Sequence, residues 1–238
     1  MSILEVENIN TYYGQSHILH DLSLSVEEGS LCALIGRNGA GKTTTLRSII
    51  GSQNPKSGTV KFKGTDITNN EPHETSQLGI SIIPEHRRMF PELTVEENLR
   101  LGHMGQEITE DRVSELTNQV FEYFPRLEER LDQQAGQMSG GEQQMLAIAR
   151  GLLSDPDLLL IDEPTEGLMP TLVEKLRDIL TRISDEGITI LLVEQNVELA
   201  FDISDHAYVI DEGENRVDGP SETLKEDEEI KDRYLALG

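Results

Sequence analysis

The sequence predicts an α/β fold with a mostly parallel core sheet, an N-terminal antiparallel β subdomain and an inserted helical subdomain. Short aliphatic runs at 80–83, 157–161 and 188–193 are separated by helical patterns, a rhythm typical of parallel strands with helices on the sheet faces. The first 30 residues alternate between apolar and polar side chains, which predicts half-exposed strands. Between 85 and 150 the strand signals vanish, so this stretch is predicted to be helical.

The N-terminal subdomain is predicted to consist of antiparallel strands. Residues 3–9 and 22–26 place apolar side chains at every second position, so each strand has one apolar face. The turn at 28–29 leads into the continuous apolar run 31–35, which is the pattern of a strand buried on both faces. The stretch 59–63 alternates again and belongs with the antiparallel set.

The 238 residues are interpreted as one folding unit with two lobes. Residues 1–84 and 151–238 form the core lobe, and residues 85–150 form an all-helical second lobe. Within the second lobe, residues 94–97, Thr-Val-Glu-Glu, have the spacing of a capping box and predict a helix start. A further helix, stopped by Pro125, is predicted from five apolar residues on one face, namely Val113, Leu116, Val120, Phe121 and Phe124.

The charge of the chain limits the classes of function. Its 44 acidic and 20 basic residues give a formal net charge of −24, and the acids are scattered through nearly every polar segment. The sequence shows no cluster of basic residues free of neighbouring acids, which argues against nucleic acid as a main partner. Seven lysines stand against thirteen arginines, and a dispersed acidic surface poor in lysine suggests the high-salt cytoplasm of a halophilic archaeon. An ordinary acidic protein is the alternative interpretation.

The ends of the chain and its cysteine carry little functional signal. The N-terminus has neither a basic region nor a long apolar run, and no stretch approaches about 18 uncharged apolar residues, so we expect neither a signal peptide nor a membrane span. The acidic tail 221–238 is predicted to be helical. The single cysteine, Cys32, lies in an apolar run and is interpreted as a buried hydrophobic residue in a reducing compartment.

A phosphate loop is the first motif that carries chemistry. Residues 36–43 read Gly-Arg-Asn-Gly-Ala-Gly-Lys-Thr, directly follow the predicted buried strand, and match the pattern in which glycines let backbone N–H groups point at phosphate oxygens. A helix that begins near Lys42 adds the positive end of its dipole. Lys42 is expected to contact the β- and γ-phosphates, and the Thr43 hydroxyl is expected to ligate Mg²⁺. The predicted nucleotide-binding residues of this loop are Gly36, Arg37, Asn38, Gly39, Ala40, Gly41, Lys42, Thr43 and Thr44.

An acidic pair follows the aliphatic run that ends at Ile161. Asp162 is expected at the carboxyl edge of the sheet, where its carboxylate can lie near the Mg²⁺. Glu163 is the candidate that polarises the attacking water. The alternative is that Asp-Glu-Pro merely closes a strand at a turn. The six histidines show no ligand spacing with cysteine, so no metal is expected beyond the nucleotide-bound Mg²⁺.

Three motifs in this order resemble the ATPase subunit of an ABC transporter over essentially the whole chain. They are the phosphate loop, the segment Ser-Gly-Gly-Glu-Gln at 139–143, which we call the signature, and Asp-Glu-Pro-Thr at 162–165. The resemblance implies a P-loop NTPase fold of the ABC ATPase type spanning 1–238, with ATP and Mg²⁺ as cofactors. It also implies that Tyr13 stacks on adenine, with Tyr12 as the less favoured choice. The residues alone would make both tyrosines edge-strand residues.

Several positions depart from the common pattern of that family. Glu85 stands where the loop between the lobes usually carries glutamine, Gln195 replaces the usual switch histidine, and Met169 takes the place of a common aspartate. The runs Phe-Pro-Glu-Leu-Thr-Val-Glu-Glu-Asn-Leu at 90–99 and Val-Glu-Gln-Asn at 193–196 make the chain similar to one of the two ATPases of branched-chain amino-acid importers.

The resemblance implies that the signature acts in trans. In that family two ATPase domains pack head to tail, so each signature meets the γ-phosphate bound by the other subunit. The Ser139 hydroxyl and the N–H groups of Gly140 and Gly141 are the expected contacts. Glu142 is included in the same nucleotide-binding set.

The phosphate loop of this chain is expected to hold the slower of the two ATP sites. Gln195 keeps an N–H donor for the γ-phosphate but cannot carry positive charge or shuttle a proton as histidine can. Glu85 offers an oxygen ligand to Mg²⁺ but adds negative charge beside the phosphates. The alternatives are that Gln195 only hydrogen-bonds at a strand end, and that Glu85 lies in solvent with Arg87 or Arg88. The predicted catalytic residues are Lys42, Glu163 and Gln195, and the predicted Mg²⁺ ligands are Thr43, Asp162 and Glu85.

The leading hypothesis is a peripheral ATPase subunit of a branched-chain amino-acid importer at the cytoplasmic face of the membrane. Its expected partners are membrane permease subunits, a second ATPase subunit in a hetero- or homodimer and, indirectly, an extracytoplasmic solute-binding protein. Met89, Phe90 and Leu93 are candidates for the permease contact, unless they pack inside the helical lobe. The alternatives are an importer ATPase for another solute, such as urea or amides, and a soluble ABC ATPase without a transport role.

Overall fold

The computed structural model describes residues 1–85, 89–227 and 230. The strands are β1 (Ser2–Tyr13), β2 (Ser16–Glu27), β3 (Leu31–Ile35), β4 (Ser57–Phe62), β5 (Thr65–Asp66), β6 (Ile80–Ile83), β7 (Leu158–Asp162), β8 (Thr189–Glu194), β9 (His206–Asp211) and β10 (Glu214–Pro220). The helices are α1 (Lys42–Ile49), α2 (Pro72–Gln77), α3 (Val95–His103), α4 (Glu110–Tyr123), α5 (Pro125–Glu128), α6 (Gly140–Leu152), α7 (Pro170–Asp185), α8 (Val197–Ile203) and α9 (Ser221–Glu226). No helix among the described residues is both long and apolar enough to span a membrane.

The predicted N-terminal antiparallel sheet is confirmed and has the strand order β2-β1-β4-β5. Leu4 lies opposite Phe62 and Val6 lies opposite Leu24, and all four side chains are buried. The strands β1 and β2 are longer than predicted. Register shifts in β1, among them those between Val6 and Ile9 and between Ile9 and Thr11, interrupt the period of two and so hid the outer halves of both strands from the pattern.

The core sheet brings the predicted site segments to one edge. Its strand order is β10-β9-β3-β8-β7-β6, and β3, β6, β7, β8 and β9 run parallel, as the aliphatic runs predicted for four of them. The strand β8 lies between β3 and β7. The chain therefore leaves Ile35, Asp162 and Glu194 at the same carboxyl edge, where parallel sheets usually bind ligands.

The hairpin of β9 and β10 extends the core sheet and was not predicted from the sequence. In β10, Glu-Asn-Arg-Val-Asp-Gly-Pro, the only aliphatic residue is Val217, and it is partly buried. An edge strand with so little apolar surface has no alternating pattern to reveal it. The hairpin makes the sheet mostly, rather than wholly, parallel.

Regular elements in the stretch 89–152 are helices, with an isolated bridge between Thr94 and Gln134. The predicted capping box is present. Thr94 Oγ1 accepts from the Glu97 N–H at 3.2 Å, and Glu97 Oε2 accepts from the Thr94 N–H at 2.8 Å. The helix α4 ends before Pro125, which opens α5. The division of the chain into lobes after residues 84 and 150 stays a prediction.

The cysteine and the acidic tail have the expected local structure where they are described. Cys32 is buried in β3, and burial raises the pKa of its thiol. The helix α9 covers the start of the predicted helical tail. Residues 228, 229 and 231–238 lie outside the described residues, as do Arg87 and Arg88.

Candidate nucleotide site

The phosphate loop connects the buried strand β3 to α1 at the carboxyl edge of the core sheet. Gly39 and Gly41 have φ values of 83° and 110°, in the left-handed region that favours glycine. A side chain on Gly36 would place its Cβ 2.4 Å from the Ile210 carbonyl oxygen. Glycines are therefore required for this close bend. The loop ends at Lys42, where the N–H groups of the first turn of α1 point toward the loop.

Lys42 is buried and connects the phosphate loop to Glu163. Its Nζ donates to the carbonyl oxygens of Gly36 and Arg37 at 2.8 and 3.0 Å, and it lies 3.1 Å from Glu163 Oε1. Glu163 is also buried and has a left-handed φ of 45°, a conformation that costs about 1 kcal/mol or more. Gln195 donates from Nε2 to Glu163 Oε2. The three predicted catalytic residues thus form one continuous chain of contacts.

Thr43, Asp162 and Glu85 form an oxygen-rich corner of the site. Thr43 Oγ1 donates to Asp162 Oδ1 at 3.3 Å. Burial raises the pKa of the Asp162 carboxyl to about 6, the hydrogen bond from Thr43 opposes this rise, and the negative charges of Glu163 and Glu85 add to it. A hydroxyl and carboxylates are the oxygen ligands that Mg²⁺ prefers, and a cation would offset the repulsion among these acids. The donor set therefore fits the predicted metal.

A cleft of about 440 Å³ opens over the phosphate loop. Asp162 lines an adjoining cleft of about 510 Å³, which shares Tyr13, Thr43 and Glu85 with the first. Gly36, whose carbonyl Lys42 engages, shapes the loop without lining either cleft, as do Arg37 and Ala40. The predicted site residues that line the first cleft are Tyr13, Asn38, Gly39, Gly41, Lys42, Thr43, Thr44, Glu85 and Glu163, joined by Ile18 and Glu166, which the sequence analysis missed.

Tyr13 faces the cleft, whereas Tyr12 is engaged elsewhere. The Tyr12 ring stacks on His17 with centroids 4.0 Å apart, and Lys56 Nζ lies 4.0 Å from the Tyr12 ring centroid. Tyr13 is 38% exposed, and its hydroxyl accepts a hydrogen bond from Arg47 at 3.1 Å. Arg47 was missed by the sequence analysis, although its place on the exposed side of the helix after the phosphate loop is a usable signal. Of the two tyrosines Tyr13 lines the cleft, and its stacking on adenine stays a prediction.

Glu194 is a buried acid at the end of β8 that holds two loops together, and the sequence analysis missed it. Its Oε1 accepts from the N–H and the hydroxyl of Thr165, at 3.1 and 2.7 Å. Its Oε2 accepts from the N–H groups of Gln195 and Asn196, at 3.0 and 3.1 Å. Burial raises the pKa of Glu194, although these hydrogen bonds stabilise its charged form. A lone acid ending the apolar run Leu-Leu-Val was the signal that could have revealed it.

The signature lies outside the cleft. Ser139 caps α6 by accepting from the Glu142 N–H at 3.3 Å, while Glu142 Oε2 accepts from the Ser139 N–H and hydroxyl at 2.9 and 2.8 Å. These bonds from Ser139 lower the pKa of Glu142, and Arg130 donates to Glu142 Oε1 at 2.8 Å. Glu142 therefore engages the signature serine within the chain. None of the described residues that line the cleft comes from 139–142, so one chain does not unite the signature with its own phosphate loop.

Sequence comparison identifies the family. The family described as ABC transporter matches residues 19–166, more than half of the chain. The chain belongs to this family. Proteins of this family bind and hydrolyse ATP, so this ABC chain is an ATPase.

Three relatives match this ABC chain over nearly its full length. BraG of Pseudomonas aeruginosa, a high-affinity branched-chain amino acid transport ATP-binding protein, is 41% identical over 98% of this chain and 99% of its own. LivF of Archaeoglobus fulgidus, a probable branched-chain amino acid transport ATP-binding protein, is 37% identical over 99% of both chains. LivG of the same organism, which bears the same description, is 30% identical over 99% of this chain and 96% of its own.

Two solved structures share the fold. A nucleotide-free ATP-binding cassette from an ABC transporter has a TM-score of 0.86 at 29% identity and covers 100% of both chains. A dimeric ATP-binding cassette in a post-hydrolysis state with ADP and phosphate has a TM-score of 0.78 at 26% identity, covering 92% of this chain and 98% of the other. The predicted P-loop NTPase fold of the ABC ATPase type is therefore confirmed.

Proposed function

We propose that this chain is the ATP-hydrolysing subunit of an ABC importer that takes up branched-chain amino acids, working at the cytoplasmic face of the membrane. The observation that supports ATP hydrolysis at this site is the contact chain of Lys42, Glu163 and Gln195, next to the paired Thr43 and Asp162. The cargo is supported by the relatives BraG and LivF, at 41% and 37% identity. No residue of an ATP site touches the solute, so the cargo rests on this similarity.

Lys42 is proposed to exchange partners when ATP binds. Its ammonium is balanced by the Glu163 carboxylate, 3.1 Å away. A γ-phosphate on the phosphate loop competes for Lys42 because it carries more negative charge than one carboxylate. Glu163 then becomes available to accept a proton from the attacking water, and Gln195 can donate to the γ-phosphate. ATP binding would thus release the catalytic base from its resting ion pair.

The Mg²⁺ site is proposed to comprise the Thr43 hydroxyl and the Asp162 carboxylate, with Glu85 as a further oxygen ligand. Bound Mg²⁺ supplies charge neutralisation for the β- and γ-phosphates. Asp162 must be ionised to ligate a cation, and its pKa near 6 makes this a proton-releasing step at lower pH. Glu85 contributes its negative charge to the same corner.

A second ATPase subunit is proposed to complete each ATP site. Ser139 lies outside the cleft that its own phosphate loop forms, and a related cassette with ADP and phosphate is dimeric. The Ser139 hydroxyl and the N–H groups of Gly140 and Gly141 would contact the γ-phosphate held by the partner. LivF and LivG come from one archaeon, and this supports pairing of two different ATPases.

Permease subunits are proposed to dock in the groove between the helices of 89–152 and the core sheet. This groove has a volume of about 440 Å³, and Phe90, Leu101 and Met104 contribute apolar surface to it. The Phe90 side chain is 52% exposed. The main chain of Phe90 is held by the buried Asn98, whose Oδ1 accepts from the Phe90 N–H at 3.1 Å and whose Nδ2 donates to the Phe90 carbonyl at 3.0 Å. Met89 packs against the helical core, so Phe90 is the better placed contact. The solute-binding protein would act on this chain only through the permease.

The ATP on this chain's phosphate loop is proposed to turn over more slowly than the ATP completed by its signature. Gln195 bonds to Glu163 and so takes part in the site, but an amide cannot carry the positive charge of a protonated histidine. Glu85 adds negative charge next to Asp162. Both features weaken stabilisation of a transition state that is itself negatively charged.

A high-salt cytoplasm is proposed as the working environment. The net charge of −24 creates strong self-repulsion at low ionic strength, and salt at molar concentration shortens its range to roughly 3 Å. The chain has 44 acidic against 20 basic residues, so the acids outnumber the positive side chains that could compensate them.

The proposed function is tested on the native membrane complex. Extraction of the chain with its partners should yield a permease, and the complex should take up leucine, isoleucine and valine. Lys42→Ala should remove uptake and the hydrolysis of the ATP that this chain's own phosphate loop binds, whereas Lys175→Ala, an exposed lysine of α7, should leave both unchanged. Uptake of urea or amides instead would contradict the cargo. Retention on DNA or ribosomes in moderate salt, with no permease, would contradict transport itself.

A further inference from the structure

Glu194 makes contacts that the proposed function does not use. Glu194 is only 1% exposed, and its carboxylate accepts four hydrogen bonds from Thr165, Gln195 and Asn196. A buried carboxylate is costly unless such bonds satisfy it, so removing any of them leaves charge poorly compensated. The two loops that Glu194 joins are therefore held in one arrangement.

One of these loops belongs to the chain's own ATP site. Gln195 donates to Glu163, which is paired with Lys42. A change in the position of Gln195 therefore reaches the centre of the cleft through one intervening residue. The same residue has its backbone N–H fixed on the Glu194 carboxylate.

The other loop leads from Thr165 to the signature helix. The Leu168 N–H donates to the Thr165 carbonyl at 3.1 Å, so residues 165–168 form a closed turn. A Cβ on Gly141 would lie 2.3 Å from Leu172 Cδ1 and 3.8 Å from Leu168 Cδ2. The Leu172 side chain, in the first turn of α7, therefore packs directly on Gly141 at the start of α6. The segment 165–172 therefore bears directly on the helix turn that carries the signature.

We propose that Glu194 is a positioning residue that couples the chain's own ATP site to the signature that it presents to the partner subunit. The route runs from Gln195 through Glu194 to Thr165, and then along 165–172 to Gly141. When a γ-phosphate fixes Gln195, the shared carboxylate fixes the Thr165 turn, and the start of α6 loses freedom. This inference rests on the proposed function, because it requires nucleotide to contact Gln195.

Two substitutions interrupt this route outside the cleft. Glu194→Gln keeps the size of the side chain but replaces one acceptor oxygen with an NH₂ group. In either orientation of the amide, this NH₂ group faces hydrogen-bond donors, either those of Thr165 or those of Gln195 and Asn196. Thr165→Val removes the 2.7 Å hydroxyl bond and keeps the 3.1 Å bond from the Thr165 N–H and those from Gln195 and Asn196, so it weakens the link between Thr165 and Glu194. Thr165→Ser restores the hydroxyl and is the rescue variant. Glu198→Gln makes the same chemical change at an exposed position of α8 and is the matched control.

Amide hydrogen exchange on the full chain measures the coupling. The protein is compared with and without Mg²⁺ and a non-hydrolysable ATP analogue, at a concentration at which light scattering shows a monomer. In the unmodified chain we expect amides at 139–143 to exchange about five-fold more slowly with the analogue, at the low end of typical couplings between sites. This protection should vanish in Glu194→Gln, fall clearly in Thr165→Val, which keeps only the backbone bond to Glu194, and persist in Thr165→Ser and Glu198→Gln. Affinity for the analogue should change by less than that factor in all four variants.

The outcomes separate this inference from the proposed function. Failure of the unmodified chain to bind the analogue with Mg²⁺ would contradict the proposed function. Normal binding without protection at 139–143, or protection that survives in both Glu194→Gln and Thr165→Val, would show that Glu194 is only a local brace. If Glu194→Gln does not fold, Thr165→Val and its serine rescue decide the matter, because they change a single hydroxyl.

Discussion

The nucleotide cleft and the signature are built in contrasting ways. In the cleft the charged groups are buried against each other, with Lys42 4% and Glu163 8% exposed. In the signature, Ser139 is exposed at the start of α6, and its bonds go to Glu142 of the same helix turn. The charged groups of the cleft are thus paired with one another within one chain. The signature is proposed to present its donors to a ligand held by the partner subunit.

This contrast has an energetic consequence. Burial raises the pKa of the Asp162 carboxyl, nearby negative charges add to the rise, and both effects bear on the stability of the fold. A substitution in the cleft should therefore change both the activity and the free energy of unfolding. A substitution at Ser139 removes one helix cap and should change activity far more than folding.

The largest expected effect is at Glu163. Glu163→Gln should lower the turnover of the ATP bound by this chain's own phosphate loop by about 100-fold or more, because an amide cannot accept the proton of the attacking water. ATP binding should survive, since Lys42 is released from its ion pair with Glu163. Steady-state hydrolysis and nucleotide titration provide the measurement, with Glu174→Gln at an exposed position of α7 as the control. Near-normal turnover in Glu163→Gln would reduce Glu163 to an ion-pair partner.

A pH-dependent effect on stability is expected at Asp162. In the folded chain its pKa is about 6, above the ordinary value of 3.8, so folding favours the protonated form. The contribution of this group is fully present below the ordinary pKa and is lost as the pH rises through about 6. Asp162→Asn should therefore stabilise the protein without metal or nucleotide at pH 8, by up to about 3 kcal/mol, and the gain should shrink toward pH 4.

Urea unfolding at several pH values checks the prediction for Asp162. Asparagine keeps an oxygen that can accept the hydrogen bond from Thr43, so the comparison isolates the charge. Ser139→Ala serves as the matched variant from the signature and should show no such pH dependence. A stability difference for Asp162→Asn that is the same at every pH would mean that the charge is not the cause.

A smaller effect on binding is expected at the tyrosines. Tyr13→Ala should weaken ATP binding about ten-fold, the size of one lost base–aromatic stack. Tyr12→Ala should leave ATP affinity within about two-fold, because its ring packs on His17 and Lys56 instead. Isothermal titration of both variants gives the comparison. Equal losses would contradict the assignment of adenine to Tyr13 alone.

The smallest effect per residue is expected from salt, which acts on the surface of both regions. Raising KCl from about 0.1 to 2 M should increase the free energy of unfolding, because the Debye length falls from about 10 Å to below 3 Å. Urea titrations at each salt concentration provide the measurement, with NaCl at equal ionic strength as the control. Stability that is flat or falls with salt would favour an ordinary acidic protein.

Much of the cleft could be predicted because local sequence determines it. A glycine loop that follows the apolar run 31–35, and an acid after the run ending at Ile161, must meet at one edge if both strands are parallel. Gln195 and Glu85 were found only through departures from a family pattern. Only the folded structure shows that Gln195 donates to Glu163 and that the charge of Glu85 acts on Asp162.

The remaining features depend on tertiary neighbours that a single sequence does not show. Glu194 becomes significant only when Thr165 is placed 2.7 Å away, although the two residues are far apart in the chain. Arg47, on α1, becomes part of the site only because it donates a hydrogen bond to the Tyr13 hydroxyl, at the end of β1 in the antiparallel sheet. The edge strand β10 has too little apolar surface to produce a pattern.

Single-turnover ATP hydrolysis in the native complex, with Lys42→Ala compared with Ser139→Ala, compares the two regions most directly. Lys42→Ala disables the site that this chain holds, and Ser139→Ala weakens the site that it completes for its partner. If the chain's own site is the slower one, Ser139→Ala should remove the larger share of the fast phase, while Lys175→Ala leaves it intact. Equal losses from Lys42→Ala and Ser139→Ala, or a larger loss from Lys42→Ala, would contradict the asymmetry between the two sites.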